Sequence, residues 1–398
     1  MRSLNLKILP GGLALLLALL ACGQFTASTP APTVPAATDT STPVPPTQTP
    51  SPIPPAAMPS ISLLSVVGSP AIQALYMLDA NNGWALNNNN VLRTTDGGST
   101  WRNATPAGVS SMPESSFFLN DTTGWIVLPG ADLASGALYH TTDGGNNWTS
   151  SVVPFSGGSM QFLDATNGWA LVALGAGMSH EAVAVFRTSD GGSAWSQVFT
   201  DDPTAVGASD TLPFAGDKTG LTALDGYHAW VAGAEPVSDF IYIYTTQDGG
   251  QTWSGQNPAL PPAYAGAMTN AMLPRFFNAN DAVLPVGVYA NTSATILYLS
   301  HDGGQTWTAS QPVAINGHVS LPSQMDFFVW DGGTTLYASH DGATSWLTIT
   351  TNVNIVSDLV SFQFVNPTTG WAVTGDASSH YKLYKTTDGG ATWNVLIP

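Results

Sequence analysis

Short apolar segments of five or six residues, broken by clusters of Gly, Asn, Asp, Ser and Thr, run through the chain from about residue 61 to its end. In the third such unit the pattern places strands near Ser159 to Leu163, Trp169 to Ala173 and Ala182 to Ser189, and a fourth beginning at Trp195. Strands of this length with turn signals at this spacing predict an all-β architecture rather than helices. We name the four strands A to D, with A innermost.

Two motifs punctuate the units, the first of them in all seven. The first is TTDGGSTW from Thr94, which returns as TTDGGNNW from Thr141, TSDGGSAW from Thr188, TQDGGQTW from Thr246, SHDGGQTW from Ser300, SHDGATSW from Ser339 and TTDGGATW from Thr386. Its aspartates are Asp96, Asp143, Asp190, Asp248, Asp302, Asp341 and Asp388, spaced by 47, 47, 58, 54, 39 and 47 residues. Intervals of this size are those of propeller blades and some solenoids, whereas a helical repeat would show a heptad-like periodicity that is missing between the boxes. Chemically the motif is a tight hairpin turn. The Asp carboxylate accepts from following backbone N–H groups, the Ser/Thr two residues earlier adds a hydroxyl bond, and the glycines tolerate positive φ.

The second motif, LDANNGWAL from Leu78, recurs as LNDTTGWIV from Leu119, LDATNGWAL from Leu163, LDGYHAWVA from Leu224 and VNPTTGWAV from Val365, and degenerates to FNANDAVLP from Phe277. Its Asx residues, Asp79, Asn120, Asp164, Asp225, Asn278 and Asn366, predict an A–B turn in six of seven repeats. All 13 Trp are thereby placed: seven in the boxes, and Trp84, Trp125, Trp169, Trp230, Trp330 and Trp371 on strand B, as core rather than as a ligand cage. The expected fold is one closed seven-bladed β-propeller of four-stranded blades. Ile61 to Val67 either adds a strand beside the last D strand, Trp393 to Ile397, or leads into blade 1.

The seven S/T-x-D-G-x-x-x-W matches resemble the Asp-box, or bacterial neuraminidase repeat, of sialidases, sortilin-type receptors, xyloglucanase-type glycosidases and photosystem II assembly and stability factors. The GWA-then-box repeat over residues 70 to 398 is most similar to the last of these. That resemblance implies structural boxes on the propeller rim and a non-catalytic, chaperone-like binder. Those factors carry an arginine-rich patch for which this chain has too few arginines, so the fold carries over and the photosystem partner does not.

The N-terminus adds an expectation about location. Arg2 and Lys7 precede an apolar run from Ile8 to Ala21, too short to span a bilayer, and Leu19-Leu20-Ala21-Cys22 resembles a bacterial lipobox whose Cys is acylated. Cys22 is the single cysteine, so no disulfide forms within the chain. Residues 22 to 58 are rich in Thr, Pro, Ala and Ser and read as an extended stalk. The expected organisation is thus a signal segment over 1–21, a stalk over 22–58 and a propeller over 59–398, exported and lipid-anchored at the outer face of the cytoplasmic membrane or cell surface, and monomeric.

Charge narrows the partners. Outside Arg2 and Lys7, seven Lys/Arg stand against 26 Asp/Glu. Such acidity gives no footprint for nucleic acid, and membrane contact is expected through the anchor alone. The expected partner is a neutral or basic protein or polysaccharide of the cell envelope.

Topology assigns the faces. The A–B and C–D turns are short and uniform, whereas the B–C and D-to-A connections vary in length, with Gly175 to Glu181, Glu235 to Phe240, Val288 to Thr295, Thr200 to Gly220 and Gly255 to Thr269 the longest. Variable loops on a rigid scaffold are where binding sits. The candidate binding face therefore comprises His180, Glu181, Asp201, Asp202, Asp210, Glu235, Asp239, His318 and His380, with Arg275 facing the channel from an innermost strand.

A sialidase needs three converging arginines, and the candidates Arg93, Arg102 and Arg187 fall on strands C and D. A hydrolase of neutral glycans remains the alternative, because the loop acids are the raw material for a carboxylate pair. No catalytic set, metal-ligand spacing or nucleotide motif is present, so no metal and no cofactor are expected.

Overall fold

Each Asp-Gly-Gly turn reverses the chain between two apolar strands, and each repeat pairs with itself as an antiparallel meander. The computed structural model describes residues 64–131, 134–177, 180–376 and 378–397. Cys22 and the segments 1–21 and 22–58 lie outside the described residues. The described residues form seven sheets, almost without helix.

In chain order, blade 1 contains Ala74–Met77, Gly83–Leu86, Val91–Thr94 and Trp101–Asn103, and blade 2 Ser115–Phe118, Gly124–Pro129, Gly136–Thr141 and Thr149–Val153. Blade 3 contains Ser159–Phe162, Gly168–Gly177, His180–Thr188 and Ser196–Thr200, and blade 4 Asp217–Ala223, Ala229–Ala234, Ile243–Thr246 and Ser254–Gln256. Blade 5 splits strand A into Met268–Ala271 and Arg275–Phe276, followed by Ala282–Tyr289, Ala294–Ser300 and Thr308–Ala309. Blade 6 contains His318–Ser320, Phe327–Trp330, Thr335–Ser339 and Leu347–Thr350, and blade 7 Leu359–Phe364, Gly370–Gly375, Tyr381–Thr386 and Asn394–Ile397.

The core lies between blades rather than within one central mass. Trp169, Val185 and Phe199 of blade 3 meet Leu221, Val231 and Trp253 of blade 4, and a comparable apolar layer fills each neighbouring pair, including blades 7 and 1. Burial of these aromatic and branched side chains is the main stabilising term.

Box geometry follows the turn chemistry. In blade 1, Thr94 Oγ1 donates to Asp96 Oδ1 at 2.9 Å and accepts from Gly98 N at 2.9 Å, while Thr100 N donates to Asp96 Oδ1 at 2.8 Å. Gly97 sits at φ 70°, and its N–H donates to Asn81 O of the A–B turn at 2.8 Å. The equivalent donation recurs at Gly144, Gly191, Gly249, Gly303, Gly342 and Gly389, which fixes both turns of every blade on one face. The Asx turns form as expected; Asp79 Oδ1, for example, accepts from Asn81 N at 2.7 Å and Asn82 N at 2.8 Å. In blade 6, which lacks the Asx residue, Ser323 Oγ accepts from Asp326 N at 3.0 Å instead.

Three expectations need correction. Strand-B Trp residues pair with the residue three before the box Asp, as in Trp84 with Arg93 and Trp371 with Lys385. In blade 6 that partner, Ala338, pairs with Phe328, so Phe328 holds the position and Trp330 lies two residues further along. The N-terminal strand Val66–Val67 pairs with the D strand of blade 1, Val66 opposite Arg102, as a fifth outer strand and not as part of blade 7. The ring instead closes through side chains. Gln363 Oε1 accepts from Met77 N at 2.9 Å, Gln363 Nε2 donates to Met77 O at 2.7 Å, and Trp371 Nε1 donates to Gly97 O at 3.0 Å. Finally, residues 175–177 and 180–181 are strand rather than loop: the B and C strands of blade 3 extend together, pairing Ala176 with Glu181 and Gly177 with His180.

Candidate functional site: the loop face and the central channel

The basic residues are almost all committed to the scaffold. Arg93 is 1% exposed, stacks over Trp84 at 4.8 Å and donates to Gly83 O, Thr94 O and Asp121 O. Arg187 and Lys385 cover Trp169 and Trp371 at 4.5 and 4.9 Å, and Arg102 donates to Leu64 O at 2.9 Å. Cation over indole is favourable and here closes the rim of a blade.

On the loop face, sequence reasoning missed Lys218, which organises the blade 3 to blade 4 connection. Its Nζ lies 3.3 Å from Asp201 Oδ2 and donates to Glu181 O at 2.6 Å, while Lys218 N donates to Glu181 Oε2 at 2.6 Å. Val183 N donates to Asp201 Oδ1 at 2.6 Å, and Glu181 N donates to Phe214 O at 3.0 Å. Asp201 is thus a buried partner and not the exposed loop acid expected. Burial pushes its carboxyl up despite the N–H of Val183 and the charge of Lys218, and burial pulls the Lys218 ammonium down despite Asp201 and Glu181. The signal available beforehand was a single lysine inside the one long acidic connection.

Other loop acids hold backbone. Asp202 Oδ1 accepts from Thr204 N at 2.9 Å. Asp239, in the left-handed region at φ 62°, accepts from Gly266 N at 2.7 Å and so ties the blade 4 loop to the blade 4–5 connection. Asp210 is exposed and Glu235 half-buried. His180 packs against Phe214 with ring centroids 5.1 Å apart, and His380 Nδ1 lies 3.0 Å from Asp376 Oδ2 on blade 7. The structure therefore groups His180, Glu181, Asp201 and Asp202 at blades 3 and 4, with Glu235 and Asp239 on the next loops, and leaves His380 apart. Among the described residues no three His, Cys, Asp or Glu side chains are grouped to hold a metal.

The innermost strands ring a central channel. A cavity of about 770 Å³ opens among blades 2 to 5, and one of about 220 Å³ among blades 5 to 7. Arg275 lines both, stacked over Phe277 at 5.5 Å, in the register position held by Tyr76, Phe117 and Gln161 in blades 1 to 3. Its side chain is open to the channel yet crowded by protein, and that desolvation lowers its pKa. His318 begins strand A of blade 6, at the loop-face end, and burial lowers its pKa as well.

Comparison with known proteins places this architecture. Residues 67–213 match the family model described as photosynthesis system II assembly factor YCF48. The solved structure of YCF48 bound to D1 peptide is 18% identical, with a TM-score of 0.51 over 82% of this chain and 93% of that one. A GH74 xyloglucanase from Xanthomonas campestris is 12% identical, with a TM-score of 0.55 over 84% of this chain and 55% of that one, so the chain spans about half of the enzyme's length. At such identities the likeness is one of fold. No curated protein matches the chain. The chain is a seven-bladed Asp-box β-propeller, similar over residues 67–213 to the YCF48 family of photosynthesis system II assembly factors.

Proposed function

We propose that this propeller is a non-catalytic binding or assembly scaffold that engages a protein partner through its loop face, around the channel mouth. The observation that carries this reading is the use of the loop carboxylates. Glu181, Asp201 and Asp239 accept hydrogen bonds from the backbone of neighbouring strands or loops, and Asp202 from its own loop, which makes them fasteners of a shaped surface rather than a free acid and base. The family match to an assembly factor supports the same class, and the D1 peptide bound to YCF48 makes a protein segment the natural kind of partner. Cys22 supplies a lipid anchor and residues 22 to 58 a stalk, so the face is presented at the outer side of the membrane or the cell surface.

The test is paired. Lysine replacements at Asp210 and Glu235, which leave the Lys218 network in place, weaken capture of the partner and reduce its salt sensitivity. A panel of neutral and acidic glycans is not turned over. Hydrolysis abolished by one loop carboxylate substitution would instead make the protein a glycosidase, the reading that the fold likeness to a GH74 enzyme keeps in view.

A further inference from the structure

We infer that the central channel is a binding site for a carboxylate carried on an apolar body, with Arg275 as the group that receives the negative charge. This goes beyond the loop-face contact, because it concerns the channel wall and a ligand of opposite charge to the one the acidic loops favour.

The first observation is electrostatic. Arg275 is the one charged side chain lining either channel cavity. Among the described residues it has no hydrogen bond or ion pair, only the face of Phe277. The chain carries a formal net charge of −17, so carboxylates are abundant, yet none is placed against this guanidinium. Exposed in the channel and with no protein acceptor, this guanidinium has its fork of donors free to receive a carboxylate through two parallel N–H···O bonds. Crowding by protein lowers the pKa of this guanidinium from its ordinary value.

The second observation concerns what else the wall offers. Apart from Thr222, the polar side chains that face the channel from the innermost strands are held by neighbouring strands. Gln161 Nε2 donates to Ala223 O at 3.0 Å and its Oε1 accepts from Ala223 N at 2.7 Å. Gln363 makes the same pair of bonds to Met77. Ser159 Oγ accepts from Leu221 N at 3.2 Å, and Ser320 Oγ from Phe364 N at 2.8 Å. A sugar chain would leave its hydroxyls unmatched here, whereas an apolar body beside Phe117 and Leu273 with one anionic head has what it needs. A free organic acid and the C-terminus of a protein chain share this chemistry.

Ligand-observed NMR and calorimetry on the unaltered protein distinguish the sources, so no variant has to fold for the first answer. The probes are 3-phenylpropionate, the peptide acetyl-Ala-Leu-Phe with a free carboxylate, the same peptide as its C-terminal amide, and trigalacturonate. Binding of 3-phenylpropionate alone assigns the site to free acids, and binding of both carboxylates extends it to chain ends. Arg275→Gln then weakens either by about tenfold or more at an unchanged melting temperature, and Arg275→Lys, which keeps the charge and loses the fork, recovers only part. Equal affinity for the amide and the free peptide, binding of trigalacturonate alone, or no binding by any probe would overturn the inference.

Discussion

Asp143→Ala removes the acceptor around which the blade 2 hairpin turns, and the structure sets the size of the effect. Oδ1 accepts from Thr141 Oγ1 at 3.0 Å and from Asn147 N at 2.9 Å, and Oδ2 accepts from Asn147 Nδ2 at 2.7 Å. Two of these donors belong to exposed Asn147 and can turn to water, but Thr141 is 1% exposed and loses a partner it cannot replace. One stranded buried hydroxyl and two re-solvated bonds amount to about 1–3 kcal/mol. For a cooperative domain of this size that is a fall in melting temperature of roughly 1–4 °C. Asp143→Asn keeps one acceptor oxygen and loses less. Burial raises the Asp143 pKa, but hydrogen bonds from Asn147 and Thr141 outweigh it and the net shift is downward. A carboxylate with a depressed folded pKa stabilises above its unfolded value and stops doing so as pH falls through the folded one, so the stability gap between the parent and Asp143→Ala shrinks in acid. Thermal unfolding at neutral and acidic pH reads all of this. Unchanged stability with lost partner binding would refute the reasoning and make the box a ligand site.

The remaining predictions are briefer. Lys218→Met leaves Asp201 buried without its cation and destabilises the propeller by about 3–5 kcal/mol, largely recovered in the double variant with Asp201→Asn; urea unfolding decides it, and a neutral single variant would show that the network is not structural. Asp302 and Asp341 are held down at about 2 by hydrogen bonds from Thr306 and Ser345, so their stabilising effect is complete above the ordinary 3.8 and disappears as pH falls toward 2. Acid titration of unfolding for Asp302→Asn against the parent checks this through a flatter profile. Cys22→Ala releases the protein from membranes or blocks its processing; unchanged membrane association without a lipid label would leave the protein without its proposed anchor.

The fold was legible because its determinants are local. Asp96, Thr94 and Gly97 build their turn within five residues, and the same grammar repeated seven times leaves little choice but a closed ring of blades. Where the grammar lapses, local signals mislead: in blade 6 Trp330 is the visible aromatic, but register counted back from Asp341 hands the position to Phe328. The candidate face was harder to read, because its chemistry is made by long-range contacts. Nothing near Asp201 in sequence announces Lys218, and only the folded connection brings them to 3.3 Å. Arg275 was visible as the one arginine on an innermost strand, but its isolation among neutral neighbours is a property of the assembled channel.

The most direct test of the scaffold reading is site-specific photo-crosslinking in intact cell envelopes, with the crosslinking residue placed in turn at Asp210 and Glu235 on the loop face and at Asn146 and Thr392 on the box face. A discrete protein adduct is predicted from the loop-face positions, diminished by lysine replacements on that face, and none from the box turns. Adducts that form instead at Asn146 and Thr392, with the loop-face positions silent, would contradict it.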